Sequence, residues 1–124
     1  MRAPARFWAF FDLAVTSVLA VPPLARILIE SVYAISGRPF PGFENGELFF
    51  VCLSGIIGVV WAVARIQVED PRLTRIDIVG RLIVAVLILG FLYVEQVPQL
   101  LWLFVGTELA GAAHQALAAR ETDR

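Results

Sequence analysis

Between Glu47 and Arg65 the chain carries no charged residue, and apolar side chains dominate the interval. A run of about 20 such residues matches the ~30 Å hydrocarbon thickness of a bilayer when wound as a helix. Three further segments repeat the pattern: about Phe7 to Val21, about Ile76 to Val94, and about Val97 to Ala118. In hydrocarbon every backbone N–H and C=O must be satisfied within the chain, which restricts spanning segments to helices or closed barrels. The expected architecture is an all-α integral membrane protein, a four-transmembrane-helix bundle forming one domain over residues 1–124.

Composition agrees. Hydrophobic residues make up 59% of the 124 and the mean hydropathy is +0.78, whereas soluble domains run at roughly 45–50% apolar. A net charge of −1 gives no electrostatic handle for nucleic acid. Cys52 is the only cysteine, which excludes an internal disulfide, a CxxC redox pair and a thiolate metal site. With a single histidine, His114, a paired-histidine metal motif is excluded too, so no metal or cofactor is expected.

The first span is interrupted by Asp12 and closed by Pro22-Pro23, and it lacks a small-residue cleavage site, so it reads as a retained span rather than a signal peptide. The two prolines remove backbone donors and crowd the preceding turn, predicting a kink there. Residues 24–36, with Arg26 and Glu30 one turn apart, read as the continuation of that kinked span; the alternative is a helix lying in the interface. Residues 37–46, GRPFPGFENG, form a loop.

Arginine sets the orientation, since cytoplasmic loops carry the excess of positive charge. Arg2, Arg6, Arg65, Arg72, Arg75, Arg120 and Arg124 would share one side and only Arg26 and Arg38 the other, so both termini are expected in the cytoplasm of a multi-pass, bacterial inner-membrane protein. Trp8 and Trp61 fall near the inner interface, and Tyr33, Tyr93 and Trp102 near the outer one. Ser54, Gly58 and Ala62 on the second span, and Gly106 and Ala110 on the fourth, are spaced for close helix approach.

Three ionisable residues lie inside the spans: Asp12, Arg81 and Glu108. Each costs at least ~2.5–3.5 kcal/mol to insert, so such groups tend to pair and to serve a function. At ~1.5 Å rise per residue, Asp12 and Arg81 both lie roughly 8 Å inside the cytoplasmic boundary, Glu108 roughly 15 Å and His114 roughly 6 Å. Asp12 and Arg81 are thus expected to pair, with Asp77, one turn before Arg81, as a second partner. Glu108 has no cation at matching depth in its own helix; desolvation favours the neutral form of a carboxyl, and a carboxyl that exchanges a proton suits acid–base work.

Four spans in about this length, with a carboxylate early in the first, resemble the layout of small multidrug resistance transporters. The surrounding WAFFDLAVTSVLAVP differs from that family's Glu-bearing pattern, so no residue role carries over. The placing of carboxylates and aromatics inside helices is also similar to small intramembrane isomerases and cyclases of sterol and terpenoid chemistry, again without a shared motif. From the residues themselves, Glu108 and Asp12 are the candidate catalytic groups, and Arg81, Trp61, Gln115 and His114 the candidate substrate-binding ones, for a lipophilic small molecule. The alternatives are a non-catalytic accessory subunit held to a membrane partner protein, and a small proton-coupled transporter acting as a homo-oligomer.

Overall fold

Proline and acidic residues set the helix starts. Asp70 caps one helix, its carboxylate accepting the backbone N–H of Arg72 at 2.8 Å, and Pro71 occupies the first helical position, where its missing N–H is no loss. Gly37 ends another: its N–H bonds to Ala34 O and that of Arg38 to Tyr33 O, a paired closure that needs the left-handed φ of 69° found at Gly37. The computed structural model describes residues 3–95 and 97–122 and holds five helices: α1 (Ala3–Ala20), α2 (Pro22–Ile35), α3 (Glu47–Gln67), α4 (Pro71–Val94) and α5 (Leu101–Thr122). No strand occurs among the described residues. Arg2 and Arg124, two of the arginines counted for orientation, and Gln96, in the connection after α4, lie outside them.

Two helices, α3 and α4, are long and apolar enough to cross a membrane; α1 and α2 pass the same test only as a pair, and they are bent by 103°. The expected kink is therefore a full break at Val21, whose backbone is extended between the two helices. The cause is chemical: Leu19 O would need the N–H of residue 22 or 23, and both are proline. α4 begins five residues earlier than hydropathy suggested, because the Asp-Pro start draws polar turns into the helix. α5 carries Thr107, Glu108, His114 and Gln115 and is not among the helices that pass.

The chain divides into two compact units, each considered by itself: residues Ala9–Val68, and the described residues up to Trp8 together with those from Glu69 onward. The division falls inside α1. In the first unit α1 runs along α3 and α2 packs on α3. A Cβ added at Gly55 would strike the backbone of Leu19 and Ala20, and one at Gly58 the side chain of Thr16. Of the small residues spaced along α3, Gly58 serves contact within the chain together with Gly55, whereas Ser54 is exposed. In the second unit α4 and α5 form the main packed pair.

Side chains are distributed inside out. The buried residues are chiefly small (Ala9, Ala25, Ala62, Ala85 and Ala112) or polar (Arg65, Asp77, Arg81 and Gln115). Large apolar groups such as Phe49, Phe50, Ile57 and Val60 on α3, and Ile83, Val86 and Leu87 on α4, are exposed. A protein surrounded by water buries the second set; one surrounded by lipid gains nothing by doing so and packs through small residues. Helix hydroxyls conform: Thr16, Ser31, Ser54 and Thr107 each donate to a carbonyl one turn back, at 2.7–3.0 Å, so none needs water.

Replacing Gly55 with Ala is expected to lower stability by ~1–3 kcal/mol through overpacking. Gly106→Ala, where the added methyl meets open space, is expected to be neutral or stabilising by up to ~1 kcal/mol. Thermal unfolding of both variants in one detergent compares them directly.

Candidate functional site

Asp77 and Arg81 lie one turn apart on α4, and Glu108, Gly111 and Gln115 follow the facing stripe of α5. The helical period puts each set on one face, and packing α4 on α5 brings the faces together. The guanidinium of Arg81 is forked: Nε donates to Asp77 Oδ2 at 2.9 Å and Nη1 to Glu108 Oε2 at 3.1 Å. Asp77 Oδ2 also accepts the Gln115 amide at 2.9 Å. The side chains of Arg81 and Asp77 are 4% and 7% exposed, that of Glu108 23%. Gln115 is buried, and its Oε1 has no hydrogen-bond partner among the described residues.

The first turns of α1 complete this unit. The Trp8 ring lies under Arg81, with the guanidinium carbon 5.0 Å from its centroid, and Trp8 Nε1 donates to His114 Nδ1 at 3.3 Å. Accepting at Nδ1 places the proton of a neutral His114 on Nε2. Gly111 makes room for the fork, since a Cβ there would stand 3.1 Å from Cδ, Nε and Nη1 of Arg81. At the other end of the hairpin Tyr93 and Trp102 meet edge to face at 6.2 Å.

Of the residues singled out from sequence, Arg81, Glu108, Gln115 and His114 thus gather in one unit. Asp12 and Trp61 belong to the other. There Asp12 forms an ion pair with Arg65, itself buried, and the Arg65 guanidinium lies 5.7 Å from the Trp61 ring centroid. Glu108, with no cation at matching depth in its own helix, finds one on α4 in Arg81. Sequence offset along a helix leaves out that an arginine reaches several ångströms along its stem. The same neglect of reach hid Arg65, which looked like a boundary charge yet turns back to Asp12. Trp8 and Gly111 were visible only as an interfacial ring and a small residue; nothing in the sequence ties either to Arg81.

No known family's sequence profile, no curated protein and no solved structure matches this chain.

Chemically, a guanidinium held by two carboxylates and an aromatic face is a rigid, hydrogen-bonded clamp. Its planar fork suits two acceptors at once, which a lysine point charge does not. Arg81→Met should destabilise the fold by ~3–5 kcal/mol, because it strands buried carboxylates, and Arg81→Lys should recover only part of that. Gly111→Ala should fall between wild type and Arg81→Met. Unfolding curves in mixed detergent, read by tryptophan fluorescence, rank the three.

Proposed function

We propose that this chain is a small multi-pass protein of the bacterial inner membrane that acts as a non-catalytic, accessory component of a membrane assembly. In this reading α1, α3, α4 and α5 are the spans and both termini face the cytoplasm. One observation carries the reading: Arg81, Asp77, Glu108 and Gln115 are hydrogen-bonded to one another across α4 and α5. A buried pair arranged this way specifies the register of two helices, whereas a catalytic group needs its reactive atom offered to a substrate. The outward Phe, Ile, Leu and Val side chains of α3 and α4 support the membrane environment. Arg6, Arg65, Arg72, Arg75 and Arg120, which would share one side against Arg26 and Arg38, support the orientation.

Glu108 supports a second reading. Its side chain is several times more exposed than that of Arg81, with which it pairs, as expected of an acid–base group working on a lipophilic substrate or coupling proton movement in an oligomer.

Glu108→Gln separates the two. An accessory role predicts that the variant, which keeps a hydrogen-bond acceptor for Arg81, retains near-normal stability and complements a deletion strain, while Arg81→Met fails in both. Normal stability with complementation abolished would establish the acid–base reading instead. Reporter fusions at each terminus test the orientation, and a periplasmic signal from either would contradict it.

A further inference from the structure

The break at Val21 turns α2 slightly more than perpendicular to α1, and α1 runs beside α3, a helix of membrane-spanning length. A helix set across two such neighbours lies in the plane of the bilayer. Its 14 residues amount to ~21 Å, too short to cross a ~30 Å core in any case. The elbow packs against Gly55, which lies ~12 Å along α3 from Glu47. With Glu44 and Glu47 marking the polar end of α3, the elbow lies in the outer half of that helix, a little deeper than the ~5–10 Å of interfacial helices.

The surface of α2 is divided into three stripes at 100° per residue. Ala25, Leu28, Ile29 and Val32 turn inward, with Ala25 fully buried. Leu24, Ile27 and Ile35 form an exposed apolar stripe, 45%, 59% and 70% accessible. The one polar group among them, the Ser31 hydroxyl, is satisfied by Ile27 O at 2.7 Å. Arg26 and Glu30 form a separate polar stripe, also exposed. That stripe faces the connecting loop: the Arg26 guanidinium lies 5.4 Å from the centroid of Phe43. Phe43 packs on Phe40 at 5.0 Å and Phe40 on Tyr33 at 5.3 Å, an aromatic group of the kind that seats at headgroup level.

We infer that α2, with the aromatic group of the loop after it, is an in-plane anchor at the membrane–water interface. Leu24, Ile27 and Ile35 enter the acyl chains, and Arg26 and Glu30 face headgroups and water. The partner is the lipid itself, and the opposite charges of Arg26 and Glu30 leave no selection for anionic headgroups. The inference rests on the membrane reading above.

Spin labels test it on the full chain in nanodiscs. In a Cys52→Ala background, single cysteines are placed by Leu24→Cys, Ile27→Cys, Ile35→Cys, Arg26→Cys and Glu30→Cys, with Ile57→Cys on α3 as the reference. The inference expects labels at 24, 27 and 35 to share one depth, with an oxygen-to-nickel-complex accessibility ratio severalfold above that at 26 and 30, unchanged between zwitterionic and anionic lipid. A depth that advances steadily from 24 to 35 overturns it in favour of a spanning segment. Shielding of 24, 27 and 35 from both reagents overturns it in favour of a protein-covered face. Water-like values at 57 as well would remove the membrane reading itself, whereas lipid-like values at 57 with water-like values at 24, 27 and 35 would remove only the anchor.

Discussion

A guanidinium cannot be left bare in hydrocarbon, and Arg81 sits among helices whose outward faces are Ile, Leu, Val and Phe. It is not the neutral form that solves this, since arginine does not give up its proton in proteins. The solution is structural: two carboxylates on two helices, an indole face, and a glycine opposite to admit the side chain. Those requirements fix how α4 and α5 may meet, because sliding either helix by a residue rotates Glu108 or Gln115 off the shared stripe.

The other unit repeats the solution with different parts. Asp12 and Arg65 pair between α1 and α3, and above them the helices close through Gly58 and Gly55 against Thr16 and the end of α1. Both units therefore combine an ion pair between two helices, which selects register, with small residues that permit close approach. In lipid this division of labour is expected: apolar side chains have no reason to leave one hydrocarbon for another, so specificity falls to polar groups and packing to Gly and Ala.

An inward-turned set of charges can mean chemistry or architecture, and the difference lies in what those charges touch. Arg81 and Asp77 are buried and contact each other, Gln115 and Trp8. Glu108 stands at the edge of the cluster, so it is the one member whose replacement can separate architecture from reaction. His114 accepts at Nδ1 from Trp8 within the same unit.

Much of the helical content was legible from hydropathy and punctuation. The apolar run from Glu47, the double proline after Val21 and the Gly-Pro loop each impose a local backbone constraint that no distant residue can relax. The charges inside apolar segments stood out for a similarly local reason, the cost of desolvation. Of their partners, Asp77 beside Arg81 was legible, being one turn away on the same helix; those on other helices were not. Whether Arg65 turns outward or back to Asp12, whether Arg81 reaches Glu108, and that Pro22-Pro23 produces a bend of 103° rather than a mild kink depend on side-chain reach and on which faces of different helices meet. Sequence determined most of the helices, because proline, glycine and long apolar runs constrain the backbone where they stand; only the tertiary structure decided the pairings between helices, because such an ion pair is a property of two helices and of the gap between them.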